Sequence, residues 1–340
     1  VAFSSTLKLT LKRGALVAAA NWPLTIVQAV ADSLFKLLIA VPLVGGVFLV
    51  ALVVGAEPAS LISLDWRDLA TTIPASLLSR PLVLVAWVTA LGIVLGGGSL
   101  FIFLIKGGAV SILVSGERKA GPIEQPPLLF EVVARASAFS VDAFIEGAEA
   151  LFPRYARLGL ALMGVYLMSG AAFLVTVAMS RSAGDGWIIT ALATAAFVVW
   201  ITIINLLYLL MQIAIASDRC SVPAALPRVW AFLRRERQSV AGVFLVVLIL
   251  VVFATGASIL ASTALGLIGF VPLFGFTFLP LQLLAWVTRA IVFQYIGLAS
   301  IGAYLKLYRA AGAGLANVRV SEPIEAHAAG GGGVKPAHVS

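Results

Sequence analysis

Charge is what this chain has least of. Only 11% of its 340 residues are Asp, Glu, Lys or Arg, while 61% are hydrophobic. A soluble chain carries roughly 25% charged residues. So little polar side chain cannot cover a protein in water, and the composition specifies a polytopic membrane protein. Cysteine is nearly absent: the single Cys220 excludes an intrachain disulfide and a cysteine-held metal cluster. The two histidines, His327 and His338, both fall in a Gly/Ala-rich terminal stretch. The apolar body therefore offers no histidine for a catalytic triad or a histidine-rich metal site, and neither a cofactor nor a metal is expected. Acidic residues are outnumbered by basic ones, 15 to 23, for a net charge of +8. In so apolar a chain that excess implies anionic lipid headgroups at the cytoplasmic face, and not nucleic acid.

What is abundant is long apolar sequence. A spanning helix needs about 20 predominantly apolar residues, and six segments meet that length, at 27–54, 82–105, 158–179, 187–216, 240–263 and 281–305. Backbone polar groups in lipid must be satisfied within the segment, so these are helices. The fold class expected is all-α, with six transmembrane helices. The first apolar run is too long for a cleavable signal peptide. Of the 23 Lys and Arg, Arg67, Arg80 and Arg181 fall in one set of connections, Lys36 and Arg289 lie inside spans, and the remaining 18 lie on the other side. By the positive-inside rule both termini are cytoplasmic, in the cell membrane. The stretch 264–280, heavy in Gly and Pro, reads as an apolar connection at or dipping into the outer leaflet. The segment 116–127 reads as a cytoplasmic loop, and the Gly/Ala-rich tail 311–340 as disordered.

Each pair of spans follows an amphipathic stretch, at 5–22, 139–157 and 221–238. Their apolar residues recur at helical spacing with charges between them, as suits interfacial helices. The body 1–310 thus reads as three repeats, about 5–105, 139–216 and 221–305, of one in-plane helix and one transmembrane hairpin. In the opening LTLKRGALVAAANWPLTIVQAVADSLFKLL and the closing LASIGAYLKLYRAAG, this layout resembles the six-span membrane domain attached to some bacterial glycerophosphodiester phosphodiesterases. The resemblance implies a bacterial inner-membrane module. It implies no catalytic residue, because the soluble hydrolase part of those enzymes has no counterpart here.

Ionisable residues within spans are the first candidates for a site, because a charge in hydrocarbon is costly. Asp32 and Lys36 stand four apart on one helical face and read as an intramembrane ion pair. Arg289, about 12 Å into the sixth span, reads as a ligand-binding arginine, or as one that snorkels outward. Thr89 at similar depth and Glu57 in the first outer connection are its candidate partners. Asn205, Tyr208 and Gln212 share one side of the fourth span and suggest hydrogen bonding between helices, as do Gln282 and Gln294. Gly92 and Gly96 form a small-residue face suited to close helix packing. Asp142, Glu146 and Glu149 read as a solvated stripe. No catalytic set emerges. The function expected is a non-catalytic membrane module that binds lipid or a membrane partner, a second copy included. The alternative is a transporter or pore for a small or anionic solute.

Overall fold

The computed structural model describes residues 2–54, 80–127, 130–180, 186–269 and 275–320. Its helices are α1 (Ala2–Ala20), α2 (Pro23–Val54), α3 (Pro81–Lys119), α4 (Phe130–Arg135), α5 (Val141–Ser180), α6 (Gly186–Asp218), α7 (Val222–Gly269) and α8 (Gly275–Val320). Among the described residues there is no strand. Six helices, α2, α3 and α5 to α8, are long and apolar enough to cross a membrane. The protein is therefore an all-α, multi-pass membrane protein.

Four helices far exceed a bilayer. They hold 39 (α3), 40 (α5), 48 (α7) and 46 (α8) residues. At about 1.5 Å per residue they reach roughly 60–70 Å, twice the ~30 Å hydrocarbon layer. Burial divides along this length. The core draws on Ala109, Ile112 and Leu113 of α3, Leu151, Tyr155 and Leu158 of α5, Ile213 and Ile215 of α6, Val229 and Phe232 of α7, and Leu298 and Leu305 of α8. All lie at one end of the bundle. Toward the other end none of the most apolar residues of α5 or α6 is buried within the protein. Apolar side chains such as Leu192 and Phe253 stand exposed there, and lipid must cover them. The molecule is a packed helical base from which three helix pairs, α2 with α3, α5 with α6 and α7 with α8, extend into the membrane.

Two glycine-lined crossings hold the base together. Gly14 of α1 lies so close to α8 that an added methyl group would meet the backbone of Ala299 and Ala303, and Gly302 faces Gly14 in return. Gly108 of α3 faces Phe144, and Gly147 of α5 faces Ser111. Small residues at such crossings let two backbones approach. Gly92 and Gly96 make no such crossing: a methyl group at either would meet open space. In this stretch of α3 the glycine that packs is Gly98, against Phe35. At 100° per residue Gly98 is about 200° from Gly96, on the opposite side of the helix.

The amphipathic segments depart from separate in-plane helices. Only the first, α1, is a helix of its own. The second runs unbroken into its span within α5, through Pro153. The third joins its span within α7 with one non-helical residue, Glu236. Part of each apolar face packs into the base, through Val17, Tyr155 and Val229, while Leu9, Ile145 and Trp230 stay exposed. The Gly/Pro-rich stretch between the last two spans is also largely helical, since α7 continues to Gly269 and α8 begins at Gly275. In the tail, α8 continues to Val320, and 321–340 lie outside the described residues.

Asn21 shows how a polar residue fixes this base. α1 ends there and Pro23 opens α2, a position where a missing N–H costs nothing. The buried Asn21 side chain donates to the carbonyls of Val17 and Ala136, both at 2.9 Å, and accepts from the Ala138 amide at 2.8 Å. The α1–α2 bend is thereby tied to the connection before α5.

Candidate site: a charged cleft beside an apolar groove

α2 and α8 pack side by side, and between them lies a cleft of about 470 Å³ lined by Asp32, Ser33, Lys36, Arg289, Phe293 and Gln294. The two helix positions that stood apart in the sequence, Asp32 with Lys36 and Arg289, therefore share one site. Lys36 Nζ donates to Asp32 Oδ2 at 2.6 Å, as the one-turn spacing allows. The pair neutralises itself. Arg289 has no carboxylate partner within salt-bridge distance among the described residues; its guanidinium lies 5.8 Å from the Phe293 ring centroid. A cation over a ring face is stabilised by the ring quadrupole, but its charge is not cancelled. On α3, Lys106 is a further cation, 5.6 Å from the Tyr208 ring centroid. In the cleft itself one carboxylate, Asp32, stands with two cations, Lys36 and Arg289.

On the other flank of Arg289, between α7 and α8, opens a larger groove of about 930 Å³. Leu250, Phe253, Leu284 and Val292 give it an apolar wall, and Ala254, Ala257 and Ala261 keep its floor shallow. Ser258, Ser262, Gln282 and Thr288 add polar atoms. Trp286, Arg289 and Phe293 line both spaces, so the groove and the cleft meet at the arginine. This arrangement offers a branched or double acyl chain an apolar trough and its anionic end a guanidinium.

The remaining sequence candidates lie elsewhere. Thr89 is exposed on α3 and lines neither space. Its neighbour Trp87 turns to α2, donating from Nε1 to the Pro42 carbonyl at 2.9 Å. Two residues further on, Thr89 is about 200° around the helix and faces away. Glu57 lies outside the described residues. Asn205 accepts from the Tyr166 hydroxyl at 2.5 Å, joining α5 to α6. The Gln212 carbonyl accepts from the buried Tyr155 hydroxyl at 2.9 Å. These are ties between helices, and the Gln212 bond is made by its backbone carbonyl. Among the described residues no group of three or more His, Cys, Asp or Glu converges on a metal-sized site.

The base holds a second charged cluster that the sequence does not announce. The connection after α3, expected as a solvated loop, folds back with Ile123 fully buried. Arg13 Nε donates to Glu117 Oε1 and Arg13 Nη1 to Glu124 Oε2, each at 2.7 Å, and Lys306 Nζ donates to the other Glu124 oxygen at 2.8 Å. Lys12 reaches the Glu124 carbonyl at 2.9 Å. Arg13 also reaches the carbonyl of Gly121, whose φ of +54° is a conformation that favours glycine. Burial pushes the Glu124 carboxyl up, but the hydrogen bonds from Lys306 and Arg13 outweigh it and hold the group below its ordinary value. Burial likewise disfavours the Arg13 cation, and Glu117 and Glu124 more than offset it, so its pKa is raised. These contacts tie α1, α3 and α8 together, although the second Glu117 oxygen, Oε2, is buried without a hydrogen-bond partner. Nearby, Asp218 accepts from Arg228 at 2.7 Å and from Tyr308 at 2.8 Å, tying the α6–α7 turn to α8.

Comparison with known proteins finds no matching family model, no similar curated protein and no similar solved structure, so the chemistry of the cleft alone carries the functional reading.

Proposed function

We propose that the protein is a non-catalytic lipid-binding module of the cell membrane, and that the paired spaces around Arg289 hold an anionic phospholipid. One observation carries this reading: an arginine without a carboxylate partner among the described residues stands where an apolar groove meets a charged cleft. Removing an arginine from water costs several kcal/mol unless an anion or hydrogen-bonding groups replace the solvent. A lipid phosphate accepts two parallel hydrogen bonds from a guanidinium, and a lysine offers only a point charge. The positive-inside distribution supports cytoplasmic termini, with the packed base on the cytoplasmic side. The resemblance to the membrane domain of glycerophosphodiester phosphodiesterases is in keeping with a role in envelope or lipid homeostasis.

Native mass spectrometry of gently extracted protein tests the reading. The wild type should retain anionic phospholipid. Arg289→Leu should lower its occupancy about tenfold, the effect of losing one charge-assisted contact. Arg289→Lys should recover only part of it. Equal retention in all three proteins would show that Arg289 is only an interfacial anchor.

A further inference from the structure

A site that only holds a lipid needs polar groups at one depth. Here they form a row. At the tip of the α7–α8 pair Gln282 lines the groove, followed inward by Ser262 and Ser258 on α7 and by Thr288 on α8. Arg289 comes next, shared with the second space. Beyond it Gln294, Lys36, Ser33 and Asp32 continue toward the base. Gln282 and Gln294 are twelve residues apart, about 18 Å along α8. Lys36, Ser33 and Asp32 of α2 line the same cleft as Arg289 and Gln294, so the row covers about 18 Å, more than half of the ~30 Å hydrocarbon layer. The groove lies along exposed parts of α7 and α8, where Leu250, Phe253, Leu281 and Leu284 face the surrounding lipid. A headgroup moving along the row would keep polar partners at each depth while its chains stayed outside in the bilayer.

We propose that this row is a translocation track, along which phosphate-bearing anionic lipids pass between the two leaflets without an energy source. This rests on the anionic-lipid reading of the Arg289 site and adds movement to it. Arg289 is the station at the centre of the track, and Ser258 with Ser262 keeps the groove half of the path polar and narrow-walled. The same phosphate chemistry would also suit a free phosphate ion, and the test separates the two.

The full chain is reconstituted in vesicles carrying a trace of fluorescent phosphatidylglycerol in both leaflets, and a membrane-impermeant reductant is added outside. Protein-free vesicles lose only the outer-leaflet signal. With the wild-type protein nearly all of the signal should be lost. Arg289→Leu should slow the loss of the inner-leaflet signal about tenfold. Ser258→Leu with Ser262→Leu, which fills the groove without touching a charge, should also slow it, while Ser258→Thr should not. Size-exclusion profiles and melting curves of the variants establish that they fold. If the wild type leaves the inner-leaflet signal intact but retains lipid in mass spectrometry, translocation is refuted and lipid binding stands. If it neither moves nor retains lipid, both readings fall. Transfer at full rate in the folded Arg289→Leu and serine variants would place the route elsewhere and overturn the track. Escape of entrapped inorganic phosphate without lipid transfer would overturn it in favour of an ion pathway.

Discussion

At the scale of single residues, the base and the membrane part obey different rules. In the base, polar side chains are buried and paired. Asn21 makes three hydrogen bonds that bridge the first helix bend and the connection before α5. Asn21→Ala leaves the Ala136 carbonyl and the Ala138 amide without their partner, and should destabilise the protein by about 2–3 kcal/mol, read as a lowered melting temperature in detergent. Glu124 supplies a pH test. It faces Arg13, Lys306, Lys12 and the neighbouring Glu117. Its folded-state pKa is depressed, so its contribution is fully present above the ordinary glutamate pKa of about 4.3 and is lost as pH falls through the folded value. The stability gap between wild type and Glu124→Gln should therefore be widest near neutrality and shrink on acidification below about pH 4. A gap that grows on acidification would mean that Glu124 is not held as a carboxylate. In the membrane part, Arg289 is exposed from the protein and, among the described residues, meets an aromatic ring and two open spaces.

At the scale of helices, length and small residues decide the packing. Gly14→Leu pushes a side chain into the backbone of α8 and should cost about 1–3 kcal/mol or more. Gly92→Leu, at a position open to the surroundings, should be near neutral. Melting curves of the two variants distinguish the crossings directly, and equal losses would contradict the assignment of α1 against α8. The sequence was a partial guide here. Apolar runs of 20 or more residues mark the spans because bilayer thickness fixes their length, and all six such helices are present. Helix ends were not legible. Beyond the apolar run, α3, α5 and α7 continue through polar sequence, because tertiary burial of Ala109, Tyr155 and Val229 keeps those turns helical. Composition also misplaced the glycine crossing: Gly92 and Gly96 have the spacing of a packing motif, but spacing does not say which side faces a neighbour. The adjacent Gly107 and Gly108, closer to the base, were the informative pair.

At the scale of the whole molecule, a cohesive base carries loosely joined helix pairs. The charged residues that complete the base, Arg13, Glu117, Glu124 and Lys306, are distant in sequence. Single-sequence periodicity could not join them, and the segment bearing Glu117 and Glu124 had the composition of a loop. The meeting of Asp32 and Lys36 with Arg289 was hidden for the same reason, since α2 and α8 come together only in the fold. Each was visible alone, as a charge in an apolar run. The central claim is that an anionic lipid lies in the groove beside Arg289, and photocrosslinking in native membranes tests it most directly. A benzophenone amino acid at Ala257, which lines the groove, is compared with one at Ile259, which is exposed on α7 but does not line the groove. The Ala257 probe should capture anionic phospholipid well above its share of the membrane, and lose that enrichment in Arg289→Leu, while the Ile259 probe captures lipid in proportion to the bulk. The same lipid composition at both probes, with or without Arg289, would contradict the account.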